Sequence, residues 1–189
     1  MEEVSERYFI FCFGYNHPEQ VAKLVDAPLE EILANSVPCI LRGYQRAFAG
    51  DSVEGTSVAT ILKQPETEIS SYAVALTKEQ IKSLDEFEKY PKWYDRIGVE
   101  CERPDGTKFD AEVYVQNDHS KFNYPLEEYL FNLAKTDSTF YYLQGNKFDY
   151  SNIKIPIIQA SNAELTKTHS ISLQLEDFAA QIQALITPK

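Results

Sequence analysis

Residues 8–18 read YFIFCFGYNHP and combine two signals of local structure. The apolar and aromatic run over residues 8–13 is short and continuous and ends at Gly14, which is typical of a buried β-strand. Pro18 then opens an apolar helical pattern, since proline is well tolerated in the first turn of a helix. This stretch therefore predicts a buried strand, a turn and a helix.

The turn Gly14-Tyr15-Asn16 separates this strand from the helix. A glycine-containing turn at a helix start can direct several backbone N–H groups at one point, which suits a carboxylate or an oxyanion. Any connection from a strand to a helix has the same appearance, however. The turn alone leaves an anion site and a plain connection both open.

Short strands and helices alternate along the rest of the chain. Strands are predicted at 39–48, 56–62, 69–76, 96–102, 109–116 and 152–159. Further helices are predicted from Pro28, from Pro125 and over 77–89, where Thr77 and Gln80 form a capping box. The pattern indicates an α+β domain built on a mostly antiparallel or closed sheet.

The last forty residues differ in character from the rest. Residues 160–170 are polar and predict a loop, and an amphipathic terminal helix is predicted from the apolar positions Leu175, Phe178, Ile182 and Leu185. We therefore divide the chain into a domain at 1–150 and a C-terminal extension at 151–189.

Composition excludes several classes of protein. The chain has 189 residues, with 18 basic and 29 acidic side chains and a net charge of −11, which disfavours nucleic acid and anionic membrane partners. It contains no apolar run of the ~20 residues that a membrane span needs. The acidic start and the odd number of cysteines (Cys12, Cys39 and Cys101) predict a cytoplasmic protein with free thiols.

Glu88 is the candidate catalytic residue. Helical spacing places it on one face with Ile81 and Leu84, and a carboxylate in an apolar stripe is desolvated, which raises its pKa toward the range of a general base. The alternative is a carboxylate at the helix end that reaches solvent, and Asp85 also lies toward this face. The spacing alone favours the solvated carboxylate.

Five segments, in order, resemble the γ-glutamylcyclotransferase-like family. The family has a strand ending in Tyr-Gly-Ser-Asn, a Leu-x-Gly-[Tyr/Phe]-x-x-x-Phe segment, a helix with Leu-Asp-x-x-Glu followed by Tyr-x-Arg, a Val-Tyr strand and a Pro-Ser-x-x-Tyr helix start. The corresponding segments here are Phe13-Gly14-Tyr15-Asn16, Leu41 to Phe48, Leu84 to Glu88 with Tyr94-Asp95-Arg96, Val113-Tyr114, and Pro125 to Tyr129.

The resemblance implies a small mixed, mostly antiparallel β-barrel flanked by helices. It also implies an intramolecular cyclisation that converts a γ-glutamyl peptide or amine to 5-oxoproline, without metal or cofactor. Glu88 would be the acid/base in that reaction. The substrate would bind at Phe13, Gly14, Tyr15, Asn16 and Tyr129.

Four positions depart from the family pattern, one of them Val74, where an aromatic residue is common. Tyr15 replaces a serine, Ser71 stands where glycine is usual, and Leu126 follows the helix-opening proline in place of a small hydroxyl residue. The Tyr15 ring could fill the pocket. The second hypothesis is therefore a non-catalytic binding or scaffold protein that contacts a protein partner through its C-terminal extension.

Overall fold

The computed structural model describes residues 5–50 and 55–173. These contain four helices, α1 to α4, and seven strands, β1 to β7. The helices span Pro18–Leu24, Leu29–Ala34, Lys78–Glu88 and Glu127–Tyr142. The strands span Arg7–Cys12, Ser36–Ala49, Val58–Thr77, Tyr94–Glu102, Lys108–Gln116, Ile153–Gln159 and Glu164–Ile171.

Strands β1 to β5 close into a barrel. Their order is β3-β1-β5-β4-β2, and β2 pairs again with β3. The β1–β5 pairing is parallel, and the other pairings of the barrel are antiparallel. Strands β6 and β7 extend the sheet beyond β2. The predicted α+β fold, with a mixed and mostly antiparallel barrel flanked by helices, is confirmed.

Strand β1 is buried on both of its faces, which explains its uninterrupted apolar sequence. Alternation along the strand places Phe11 in the barrel interior and Ile10 in a second cluster beneath the helices. Apolar residues of α1, α2 and α3 form the other side of that second cluster, while α4 packs on the barrel cluster through Leu130 and Leu133. All three cysteines are free and buried, as predicted.

Strand β3 is longer than the sequence predicts. The two strands expected at 56–62 and 69–76 are one strand of 20 residues. Arg42 of β2 pairs with Glu68, whereas Tyr44 pairs with Lys63, so the register shifts where four exposed or half-exposed residues of β3 extend outward. Pairing with β2 on both sides of this irregularity carries the strand through a polar segment that locally resembles a loop.

The prediction of a loop at 160–170 is wrong, because Glu164–Ile171 forms β7. This strand lies at the edge of the sheet and is mostly exposed, so its polar side chains give no alternating apolar pattern. Backbone pairing with β6 holds it in place.

Strand β6 belongs to the same core as the barrel. Its residues Ile153, Ile155 and Ile157 pack in the barrel cluster. The predicted terminal helix lies outside the described residues. None of the helices that are described is long and apolar enough to cross a membrane.

Candidate active site

The six residues predicted for the site line one cavity of about 590 Å³. The cavity opens beside the turn that follows β1 and the C-terminal end of α3. Its wall contains the predicted residues Phe13, Gly14, Tyr15, Asn16, Glu88 and Tyr129. The structure thus brings together residues that are separated by more than one hundred positions in the chain.

The turn at residues 13–16 is held by its carbonyl groups, each of which accepts a hydrogen bond from another part of the protein. The O of Phe13 accepts from Arg46 Nε at 2.9 Å, and the O of Gly14 accepts from Thr136 Oγ1 at 2.6 Å. The carbonyls of the next two residues accept from the backbone N of His17 and from the hydroxyl of Tyr72.

The backbone N–H groups of this turn differ from its carbonyls in their hydrogen bonding. Within the residues that the structure describes, the N–H groups of Tyr15 and Asn16 donate to no protein acceptor. The four carbonyls are already bonded, which fixes the turn, and the two residues whose N–H groups lack a protein acceptor among the described residues line the cavity. Unpaired backbone donors in such a turn suit an anionic group.

Arg46 links this turn to α4. Its guanidinium donates to the carboxylate of Asp137 as well as to Phe13, and only 12% of its side chain is exposed. Burial raises the pKa of the Asp137 carboxyl, and the Arg46 charge opposes that rise. The pair secures the position of the turn relative to the helix that carries Tyr129.

Gly14 is required by a close approach. A Cβ atom at this position would lie 3.0 Å from the hydroxyl oxygen of Tyr129. That hydroxyl accepts a hydrogen bond from the backbone N of Ala59 at 2.8 Å, which limits its freedom to move away. A glycine therefore allows the turn, α4 and β3 to meet at the cavity.

The local sequence of α3 places Glu88 at this cavity. The predicted capping box is present, with the Thr77 hydroxyl accepting from Gln80 N at 3.2 Å and Thr77 N donating to Gln80 Oε1 at 3.0 Å. Ile81 and Leu84 are buried on the face that Glu88 continues. This helix start and apolar stripe orient the last residue of the helix toward the barrel.

Glu88 contacts the turn directly. Its Oε1 accepts a hydrogen bond from Asn16 Nδ2 at 3.0 Å. The other side-chain atom of that amide, Asn16 Oδ1, is buried and has no hydrogen-bond partner among the described residues. An unpartnered buried acceptor next to a carboxylate would satisfy a donor such as an ammonium group.

Burial raises the pKa of Glu88 to about 7, and the hydrogen bond from Asn16 opposes that rise. A carboxyl group with this pKa exists in both protonation states near neutral pH. It can therefore accept a proton and return it in the same reaction cycle.

Asp85, the other carboxylate toward this face, has its own partners. Its Oδ1 accepts from Arg96 Nη1 and from the hydroxyl of Tyr114, both at 2.6 Å. Arg96 also contacts Glu112 through Nε at 2.6 Å. Asp85 therefore attaches the end of α3 to β4 and β5.

Tyr15 leaves the cavity open. Its ring lies 5.7 Å from the ring of Tyr129 and 6.4 Å from that of His17, as measured between centroids. The cavity of about 590 Å³ exists with this side chain in place. The bulky residue at the serine position of the family thus packs as part of the wall.

Several lining residues were not predicted from the sequence as members of the site. They are Gln20, Val58, Ala59, Phe87, Lys89, Trp93, Tyr94 and Tyr114, together with residues 10–12. Three of them, Phe87, Tyr94 and Tyr114, stand in segments of the family resemblance, which could have indicated them. No group of three or more His, Cys, Asp or Glu side chains able to hold a metal occurs in the described part of the chain.

Comparison with solved structures shows the same fold. A protein solved as "Gamma-glutamyl cyclotransferase" is 17% identical, with a TM-score of 0.56, and the match covers 77% of this chain and 92% of that one. Uncharacterized protein loc79017 from Homo sapiens is 17% identical, with a TM-score of 0.56 and coverages of 94% and 99%. YkqA from Bacillus subtilis is 17% identical, with a TM-score of 0.55 and coverages of 72% and 49%.

The sequence comparisons give the family. A comparison with curated proteins finds no match. The family model for "Gamma-glutamyl cyclotransferase, AIG2-like" matches residues 10–131, which is more than half of the chain and includes every residue predicted for the site. The resemblance drawn from the motifs is thereby confirmed, and this chain belongs to the gamma-glutamyl cyclotransferase, AIG2-like family.

Proposed function

We propose that this protein is a γ-glutamylcyclotransferase, which cyclises a γ-glutamyl peptide or amine to 5-oxoproline and releases the amine. One observation carries the proposal: the Glu88 carboxyl, with a pKa of about 7, lies within hydrogen-bond distance of Asn16, beside two unpaired backbone donors in one cavity. An acid/base group and an anion-binding turn are the two parts that this reaction needs.

The groups of the site match the charges of a γ-glutamyl substrate. The N–H groups of Tyr15 and Asn16 would bind an oxygen anion, either the substrate's α-carboxylate or the oxyanion that develops on its γ-carbonyl. Asn16 Oδ1 and the Glu88 carboxylate would hold the ammonium group between them. Binding both ends of the glutamyl group folds it so that the nitrogen approaches the γ-carbonyl carbon, and this proximity supplies much of the acceleration.

Apart from forming one carbon–nitrogen bond and breaking another, the reaction requires only proton transfers. The substrate ammonium loses a proton to Glu88 and attacks the γ-carbonyl carbon, forming the ring nitrogen–carbon bond. The attacking nitrogen gives up its second proton after the ring bond has formed. The bond from that carbon to the leaving nitrogen breaks as Glu88 returns a proton to the leaving nitrogen, and the released amine takes up the second proton from solvent. Overall the attacking nitrogen loses two protons and the leaving nitrogen, released as an ammonium group, gains two, so no water or redox partner is consumed.

The test is 5-oxoproline formation from a panel of γ-glutamyl dipeptides, γ-glutamyl amines and glutathione. We expect activity in the wild type and a fall of about 10²–10⁴-fold in kcat for Glu88→Gln, which keeps the shape but removes the proton acceptor. Glu86→Gln is the matched control, because Glu86 lies on the same helix and its side chain is exposed. Equal rates in Glu88→Gln and the wild type would exclude Glu88 as the acid/base.

The second candidate function is binding without catalysis, and the presence of Tyr15 at the serine position is the observation that favours it. Tyr15→Ser separates the two. If folded wild-type protein forms no product and Tyr15→Ser does, the tyrosine has blocked an otherwise competent site. If neither forms product across the panel, the catalytic proposal loses its support and the binding role becomes the better supported of the two.

A further inference from the structure

The mouth of the cavity is lined by side chains that are more exposed to solvent than those of its interior. Three of its lining residues are exposed, and all three come from the end of α3 and the segment leading into β4: Phe87, Lys89 and Trp93. Phe87 is 47% exposed and Trp93 is 43% exposed. Large aromatic side chains left in solvent beside a cavity are typical of a surface that binds an apolar group.

The segment 87–93 is held in place by its backbone. Lys89 ends the helix in the left-handed conformation, with φ of 53°, and its carbonyl accepts from Trp93 N at 3.0 Å. Tyr90 N donates to Asp85 O at 2.9 Å. The backbone that carries Phe87, Lys89 and Trp93 is therefore held at the mouth before any ligand binds.

Lys89 is the single cation among the described residues that line the cavity. Its Nζ lies 3.9 Å from the centroid of the Trp93 ring, and it forms no ion pair within the described part of the chain. A positive charge without a carboxylate partner at the mouth is available to an anionic group of the ligand.

The size of the cavity leaves room for such a group. Cavities of roughly 300–1,000 Å³ hold whole drug-sized ligands, and this cavity measures about 590 Å³. The glutamyl group would occupy the buried part near Asn16 and Glu88. The amine that leaves would then lie between that part and solvent, against the exposed residues of the mouth.

We infer that the mouth is a subsite for the leaving group and that it favours an amino acid with a large apolar or aromatic side chain. This inference rests on the proposed cyclotransferase function and names its substrate class. The apolar side chain packs on Phe87 and Trp93, and the carboxylate of the same amino acid pairs with Lys89. When the amide bond breaks, the free amino acid leaves through the mouth.

Three substrates test the subsite: γ-glutamylphenylalanine, γ-glutamylalanine and γ-glutamylphenethylamide, which keeps the ring but lacks the second carboxylate. We expect kcat/KM for γ-glutamylphenylalanine to exceed that for γ-glutamylalanine about 10-fold or more, since apolar contacts of this size discriminate by one to two orders of magnitude. Trp93→Ala should remove most of this preference. An unchanged preference in Trp93→Ala, or none in the wild type, overturns the inference.

The role of Lys89 is tested by Lys89→Asn, because asparagine tolerates the left-handed conformation that this position adopts. It should lower kcat/KM about 10-fold more for γ-glutamylphenylalanine than for γ-glutamylphenethylamide, since only the first offers a carboxylate. Lys92→Gln is the matched control, an exposed lysine of the same segment that does not line the cavity. An equal loss of kcat/KM for both compounds would overturn the pairing of Lys89 with the carboxylate of the leaving group.

A binding measurement separates this inference from the proposed function. Calorimetric titration of Glu88→Gln with the two dipeptides reports the subsite even if no compound is turned over. Tighter binding of γ-glutamylphenylalanine than of γ-glutamylalanine, lost in the double variant with Trp93→Ala, supports the subsite. Absent product formation by the wild type is a separate result, which rejects the proposed enzyme and not the subsite. Equal or undetectable binding of both dipeptides rejects the subsite.

Discussion

Two carboxylates lie close together at the end of α3, and their surroundings give them opposite properties. Asp85 accepts hydrogen bonds from Arg96 and Tyr114, so its charge is compensated by a neighbouring cation. Glu88 has a neutral amide as its partner, and burial raises its pKa to about 7. The difference shows that the environment of a carboxylate, and not its place in a helical stripe, decides whether its charge is compensated or its pKa is raised.

The regions around Asp85 and around Glu88 differ in the same way as the two residues. The Asp85 region ties α3 to β4 and β5 through charged and phenolic groups. Among the described residues, the Glu88 region leaves Asn16 Oδ1 and the backbone N–H groups of Tyr15 and Asn16 without a hydrogen-bond partner. A folded protein retains unpaired buried groups at a cost in stability, which a ligand that satisfies them would offset.

Removing the charge of Asp85 should have the largest effect on stability. Asp85→Asn leaves the Arg96 guanidinium without its strongest partner, and both side chains are only 21% exposed. We expect a loss of about 2–3 kcal/mol in the free energy of unfolding, less than for a fully buried pair because solvent screens the charges in part. Urea denaturation measures it, with Glu86→Gln as the control. A loss as small as the control's would contradict the structural role.

Removing the charge of Glu88 should increase the free energy of unfolding, which is the opposite of the effect expected at Asp85. The pKa of Glu88 in the folded protein, about 7, lies above its ordinary value of 4.5, so ionisation destabilises the fold as pH rises through this interval. Glu88→Gln should therefore be more stable than the wild type by about 1–2 kcal/mol at pH 8.5. The gain should shrink to a few tenths of a kcal/mol, about 0.4 kcal/mol, by pH 4.5, where the carboxyl is protonated in the folded state and half protonated in the unfolded state.

The check is a series of urea denaturations from pH 4.5 to pH 8.5, with Glu86→Gln measured alongside. A gain that is the same at both ends of the series would mean that Glu88 ionises as an ordinary surface carboxyl. That result would remove the electrostatic distinction between Glu88 and Asp85.

The smallest effect concerns the hydrogen bond that partly offsets the burial of Glu88. Asn16 donates to the ionised carboxylate and so lowers its pKa. Asn16→Ala should raise the pKa of Glu88 further. Carbon-13 NMR titration of the side-chain carboxyl measures this in the free protein without reference to activity. A pKa that falls in the variant would show that the amide does not stabilise the charged form.

Much of the site was predictable because its residues stand in short local patterns. The turn at 13–16 follows a strand, and Glu88 continues the apolar stripe of a helix that begins with a capping box. The exposed mouth was not predictable in this way. Phe87 is one more apolar residue of α3, and Lys89 and Trp93 stand in no periodic pattern, so only the position of the cavity gives the three their significance.

The sequence by itself determined the buried first strand, the start of α3 and the family motifs. Each of these depends on residues within about ten positions of one another, where propensity, capping and turn chemistry act. Tertiary structure alone decided the continuity of β3, the existence of β7 and the separate roles of Asp85 and Glu88. These depend on partners far along the chain, such as the 72 positions between Asn16 and Glu88. Local sequence carries no information about which group will meet a side chain across such a distance.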